Sequence, residues 1–321
     1  MLVKERKISG RVVAPGILLV LLTALISGVS TFVNFYAVKG TNSDAFIAVR
    51  NVAVAALLVP LVFLVGRTAR TKLARTDWLR LGTIGLIGGA VPFILFFRGL
   101  QMAGTGGAAT ASFGYRTLFL MATVLGVVYL KEKFSARVAL AAGLLLGGNV
   151  LLLSLSAPVW TDGTALVLIA TALWAGEYTL SKRALRDLPS GTVALGRMGF
   201  GGIYLMAYLG LTGQFAAVAG FSGSQWQWLA ISAVLLVAFV STWYAGLKTV
   251  DVSTATSVLV LALPITWALG FLADRSTLTS AQAAGIVAIV FGVALAVGVA
   301  SLRDTWTYLV LRVKSRLARA E

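Results

Sequence analysis

The sequence predicts an all-α integral membrane protein, with ten transmembrane helices in two inverted five-helix repeats and both termini cytoplasmic. Three observations lead there. Only 12% of the 321 residues are charged and 59% are hydrophobic, whereas a soluble domain wets its surface with about 25% charged residues. The apolar residues gather into runs long enough to cross a bilayer, with short basic clusters between them. The second half of the chain also repeats the pattern of the first.

A helix needs about 20 apolar residues to cross a hydrocarbon core of about 30 Å. Runs of that kind fall near 16–38, 44–65, 79–100, 106–130, 136–155, 163–183, 191–212, 226–247, 254–273 and 280–300. The first follows a basic start, Met1 to Pro15. It is too long for a signal-peptide core and no small-residue cleavage site follows it, so it reads as the first membrane helix. Pro60, Pro92, Pro264 and many glycines lie inside the runs. A helix bundle in lipid tolerates them because neighbouring helices satisfy the freed backbone groups.

The basic residues set the orientation. With the N-terminus inside, the inside segments hold Lys4, Arg6, Lys7, Arg11, Arg67, Arg70, Lys72, Arg75 and Arg80, then Lys131, Lys133, Arg137, Lys182, Arg183, Arg186 and Lys248. Arg303, Arg312, Lys314, Arg316 and Arg319 complete a set of 21 among the 27 Lys and Arg. The outside segments hold Lys39 and Arg275, while Arg50, Arg98, Arg116 and Arg197 fall within spans. One span more or fewer would scramble this bias, so both termini are expected in the cytoplasm. The tail, residues 305–321, repeats apolar and basic residues at helical spacing beside Trp306 and Tyr308. It reads either as an amphipathic segment on the inner membrane face or as a solvated basic tail.

The net charge of +16 raises nucleic-acid binding, but binders of that class concentrate Lys and Arg on one solvated face. Here the charge sits between membrane runs, so no nucleic-acid partner is expected. With no cysteine and no histidine, thiolate chemistry, disulfides, His-based metal sites and His-based acid–base catalysis are excluded. No paired carboxylates or nucleophile constellation replaces them, so no enzyme, cofactor or metal is expected.

The internal repeat divides the chain into 1–157, 158–304 and the tail 305–321. Thr23-Ala24-Leu25 and Gly28 match Thr171-Ala172-Leu173 and Gly176 at an offset of 148. Arg50 then aligns with Arg197, Phe96-Phe97-Arg98-Gly99-Leu100 with Trp243-Tyr244-Ala245-Gly246-Leu247, and Ala141-Ala142-Gly143 with Ala283-Ala284-Gly285. The fourth and ninth spans align less well. Five spans per copy is an odd number, so the second copy must enter the membrane inverted, and inverted repeats are the architecture of alternating access.

These features resemble the drug/metabolite transporter superfamily in its EamA-type branch. The residues bearing the likeness are Thr171–Tyr178 (TALWAGEY), Gly246–Ser257, Leu263-Pro264-Ile265, and Tyr129–Ser135 before Gly143, which looks like the family's helix-end glutamate motif. In the second copy the matching place is Asp274 rather than glutamate. Within the superfamily the chain looks most like the YddG-type aromatic amino acid exporters. The resemblance implies export of amino acids or related metabolites through a central cavity between the halves.

Charged residues deep in a span are expensive and are functional candidates. Glu177 is the acidic residue expected within a span, and Arg197 on the next span is placed to pair with it and hold the cytoplasmic side closed, a static structural pair being the alternative. Arg50 and Arg98 lie nearer the outer ends of their spans and could snorkel to water. Arg116 falls about ten residues into its span, near the bilayer middle, where it reads as a substrate-carboxylate clamp or as a partner for backbone carbonyls.

Ser27, Ser30, Thr31 and Asn34 form a polar stripe on the first span, and Ser112, Tyr115, Phe119 and Thr123 share a face with Arg116. Trp174 and Tyr178, flanking Glu177, are the expected aromatic cavity wall, with Trp243 beside them. Substrate contact is thus assigned to Arg116, Tyr115, Ser112, Trp174, Tyr178, Asn34, Ser30 and Trp243, and gating or coupling to Glu177, Arg197 and Arg50. Glycines 82, 85, 88, 143, 147, 285 and 292 read as sites of close helix approach.

The expected activity is export or exchange of aromatic or large neutral amino acids and related small metabolites across a bacterial-type inner membrane, by a monomer among membrane lipids. Carriage of phosphorylated or nucleotide-linked sugars would need several basic residues converging at midplane. A non-transporting scaffold would need two halves that never exchange conformations.

Overall fold

The computed structural model describes residues 2–37, 41–65, 73–155, 157–274 and 277–317. The expectations for Lys39, Arg67, Arg70, Lys72, Arg275 and Arg319 lie outside them, as do the side chains of Lys4, Arg6, Lys7, Arg11, Asp274, Arg312, Lys314 and Arg316. Among the described residues all regular structure is helical. α1 is Leu2–Ala37, α2 Ser43–Val65 and α3 Arg75–Ile84, followed by a π-helical turn, Gly85–Ala90. Then come α4 Val91–Arg116, α5 Leu118–Leu130 and α6 Ala136–Leu152, which close the first half. The second half holds α7 Asp162–Ala184, α8 Ser190–Leu211, the short α9 Phe215–Ala219, α10 Gly223–Leu247, α11 Val252–Leu259, α12 Ala262–Asp274 and α13 Ser280–Val297. α14, Val299–Leu317, ends the described chain.

Eight helical segments are long and apolar enough to cross a membrane. They correspond to the first four, the sixth and the last three of the expected runs. The two left over are α6, which has 17 residues, and α8, which has 22 but is glycine-rich and contains Arg197. Local chemistry explains where helices start. The hydroxyls of Ser135, Thr161, Ser222 and Thr279 accept from the third amide beyond them at the starts of α6, α7, α10 and α13, satisfying donors that a helix end leaves orphaned.

Two of the expected runs meet without a helical gap. α4 runs through the expected loop, and the reversal is made at Gly104 alone, at φ 59° and ψ −169°. No atom lies near the place a Cβ would occupy there. The glycine is needed for its left-handed backbone rather than for space.

Each principal packing pair joins a helix of the first half to one of the second: α4 with α7, α6 with α13, α1 with α10 and α2 with α8. α6 and α13 touch at backbone level, since a Cβ on Gly148 would lie 2.8 Å from the Gly285 carbonyl oxygen and one on Gly285 2.7 Å from that of Gly148. Gly143 and Gly147, expected as approach sites, face open space instead. They lie on the other side of α6 from the seam. The C-terminal segment is helical from Val299 rather than from 305 and packs on α1, with Thr305 buried and Trp306 exposed.

A cavity between the two halves

A cavity of about 660 Å³ lies between the two halves. α1 supplies its polar wall, because Ser27, Ser30, Thr31 and Asn34 repeat at helical spacing and fall on one face. Asn34 Oδ1 accepts from Ser232 Oγ of α10 at 2.6 Å. The aromatic wall comes from α4 and α7. Trp174 packs on Phe93, Phe96 and Tyr115 with ring centroids 5.3, 5.4 and 5.4 Å away, separations suited to edge-to-face contact. Thr266 and Trp267 of α12 complete the lining.

Helix breaks shape this region. α4 and α5 separate at Thr117, and α11 and α12 separate at residues 260–261. Both spans, the fourth of each half, are therefore locally tightened midway, with the backbone at Thr117 and Val260 still in the right-handed helical region. Arg116 is the last residue of α4 before its break. It faces the cavity, its guanidinium carbon lies 5.4 Å from the Tyr115 ring centroid, and its buried Nε has no hydrogen-bond partner.

Arg50 of α2 also faces the cavity. It is 4% exposed, so it does not snorkel to water as its position in the span suggested. The cause is packing: α10 and α4 cover it, with Nη1 donating to Ser232 at 3.4 Å and the guanidinium over the Phe93 ring. Arg98, by contrast, is half-exposed, bonded to the Tyr208 hydroxyl and 3.5 Å from Asp44. Asp44, in the first turn of α2, is thus a second buried carboxylate, one that its place at the edge of an apolar run conceals in the sequence.

The cavity occupies the end of the bundle where α1 finishes and α10 begins. Its floor is built around Glu177, which is completely buried. Glu177 Oε1 accepts from Ser181 Oγ at 2.5 Å and Tyr244 Oη at 2.7 Å, and Oε2 lies 3.6 Å from Arg197 Nε. Arg197 Nη2 and Trp174 Nε1 both donate to the Gly88 carbonyl at 3.1 Å. The π-helical turn delivers that carbonyl, and Gly88 must be glycine because a Cβ would sit 2.3 Å from Glu177 Cγ. Such turns widen a helix locally and recur at functional sites.

Beyond the floor the bundle is sealed by charge against helix ends. Lys182 Nζ donates to the carbonyls of Leu247 and Val250 at 2.7 Å each, at the C-terminus of α10. Glu132 accepts from the amides of Val252 and Ser253 at 2.6 and 3.0 Å, at the N-terminus of α11. Both signs match the helix dipoles they face.

The EamA family model matches residues 14–154 and again 162–298, which between them span both halves of the bundle. This chain belongs to the EamA-like transporter family. Its members are transporters of small molecules rather than enzymes, so the protein is a multi-pass membrane transporter. No curated protein matches this EamA-like chain. A solved structure titled "Crystal structure of protein" is similar to it with 20% identity and a TM-score of 0.73, over 88% of this chain and 96% of that one. At that identity the likeness concerns the fold alone.

In this EamA-like bundle Arg116, Tyr115, Ser112, Trp174, Tyr178, Asn34 and Ser30 all line one cavity, with Arg50 and Arg197. Glu177 lies just beneath it. Trp243 does not reach it: the ring is fully buried behind Tyr178, at a centroid distance of 4.5 Å. It continues the α10 face of Ser232, Leu236 and Phe239, but one turn below the floor. Phe119 and Thr123, placed on the Arg116 face, are likewise buried outside the cavity. Ser232, Phe93 and Phe96 are lining residues that sequence reasoning missed. Ser232 had a signal, being the one hydroxyl on the outer half of an otherwise apolar face.

Proposed function

We propose that this protein is a ten-span secondary transporter that moves carboxylate-bearing small metabolites, aromatic or large neutral amino acids foremost, across a bacterial inner membrane by alternating access. α6 and α8 would complete the ten spans, and the 21-to-2 bias of basic residues supports a cytoplasmic position for both termini. In that orientation the cavity opens outward and the Glu177–Arg197 floor closes the cytoplasmic side. The unpartnered guanidinium of Arg116 in an aromatic-walled cavity is the observation that carries the reading. A substrate carboxylate would supply the charge-assisted bonds it lacks, while Trp174, Tyr115 and Phe96 would take an apolar body and, by their faces, an ammonium. The YddG-type exporters remain the branch it resembles most, and a monomer suffices because both repeats lie in one chain.

Carriage of phosphorylated metabolites is a second reading, favoured by one finding: Arg50 joins Arg116 on the cavity wall, so basic residues do converge there.

Uptake of radiolabelled amino acids into liposomes tests the proposal, with wild type beside Arg116→Ala. Uptake of aromatic amino acids that falls more than tenfold in the variant is expected. A natural absence of cysteine permits a second readout: Ser30→Cys should be labelled by small thiol reagents from either side of the membrane. Labelling from one side only, under all conditions, would refute alternating access. No flux of any amino acid with folded protein would remove the amino acid class.

A further inference from the structure

Arg50 and Arg197 are repeat mates, yet their surroundings differ in one decisive way. Arg197 has Glu177 at 3.6 Å. At the 148-residue offset of the first spans, the counterpart of Glu177 is Val29. The first repeat therefore offers Arg50 no carboxylate in this conformation, and the inverted exchange of the halves offers none either. Among the described residues no acidic side chain lines the cavity. Arg50 is nonetheless buried, with Nε unpartnered and only a long 3.4 Å bond from Nη1 to Ser232. Ser30 Oγ, on the α1 wall of the same cavity, is also buried without a partner.

A buried cation without a counter-charge is destabilising, and the half-buried Arg116 is a second cation on the same cavity with no carboxylate beside it. They bracket a continuous aromatic path: Arg50 lies over Phe93, Phe93 packs on Trp174, Trp174 on Tyr115, and Arg116 lies over Tyr115. Each step is 5.3–5.4 Å. Two cationic ends joined by aromatic surface are complementary to an apolar body with an acidic group at either end.

We propose that Arg50, with Ser232, forms a second anion position separate from Arg116, so that the cavity binds an aromatic body bearing two well-separated acidic groups more tightly than the same body bearing one. This deepens the transport reading and rests on it for the site. It also gives Arg50 a ligand-holding task in place of the gating one expected from its repeat position. A mono-acid satisfies one guanidinium. A di-acid satisfies both.

The test is equilibrium binding to the purified full-length protein in nanodiscs, read by tryptophan fluorescence, since Trp174 and Trp267 line the cavity. The probes are phenylpropanoate, phenylalanine and 3-(4-carboxyphenyl)propanoate, the last with a carboxylate at each end of the ring. The di-acid is expected to bind roughly tenfold to a hundredfold more tightly than phenylpropanoate. Arg50→Gln should remove most of that difference and weaken the mono-acid far less, and Arg50→Lys should restore part of it. A di-acid that binds no better than the mono-acid in wild type, or not at all, overturns the proposal without recourse to any variant. So does an Arg50→Gln protein of normal unfolding midpoint that weakens both probes equally. If phenylalanine is still carried into liposomes in that case, the transport reading stands while this one falls. Tight di-acid binding without flux of any probe supports the second anion position and removes the amino acid transport reading instead.

Discussion

The Glu177–Arg197 pair gives the sharpest energetic prediction. Both side chains are almost fully buried, Glu177 completely and Arg197 at 3% exposure. Removing one member of a buried pair leaves an uncompensated charge, which costs roughly 3–5 kcal/mol. The surroundings place this pair at the lower end, because Glu177 keeps the Ser181 and Tyr244 hydroxyls and Arg197 keeps the Gly88 carbonyl. Arg197→Met and Glu177→Gln should thus each destabilise by about 3 kcal/mol. The double variant leaves no orphan charge and should cost no more than either single change. The coupling in that cycle is then about 3 kcal/mol. It can be measured by titrating the purified protein from mild detergent into SDS and following the unfolding midpoint for the four proteins. Additivity within about 0.5 kcal/mol would show that the two groups do not depend on one another, and the account of the cavity floor would fail.

Two further outcomes follow from the same region. Gly88→Ala places a methyl 2.3 Å from Glu177 Cγ and should cost about 1–3 kcal/mol by overpacking in the same SDS titration; a neutral result would mean the π-helical turn yields. Glu132→Gln keeps a hydrogen-bond acceptor but removes the charge facing the α11 N-terminus. Hydrogen exchange at the Val252 and Ser253 amides should quicken by about tenfold, the equivalent of ~1.4 kcal/mol, and unchanged exchange would show that the carboxylate does not hold the α10–α11 junction.

Much of the architecture is legible because lipid imposes one simple demand, an apolar run of fixed length. The polar stripe of α1 is legible for the same reason: in a largely apolar run, Ser27, Ser30, Thr31 and Asn34 stand out. What escapes is anything decided by which face of an evenly apolar helix turns inward. Phe239 and Trp243 lie one turn apart on the same face of α10, so nothing local distinguishes their depths. Whether Arg50 snorkels is not legible either, because that depends on what covers the side chain, and the covering residues, Phe93 and Ser232, come from distant helices. Gly143 and Gly147 share the residue type of Gly148 but not its neighbour, Gly285. The reversal at Gly104 and the turn at Gly85–Ala90 are backbone events in glycine-rich sequence, where many glycines compete and only tertiary packing selects among them.

That π-helical turn also sets a phase. A helix advances about 100° per residue, and a π turn accommodates one residue more than the regular spiral would. Rewinding residues 85–90 as regular α-helix with none deleted would therefore leave one residue too many for the present phase and rotate everything after it by about a quarter-turn or more. Phe93 and Phe96 would swing away from Trp174, and Arg98 away from Asp44, although no side chain had been altered. The aromatic wall is thus fixed as much by how six backbone units are wound as by its own rings.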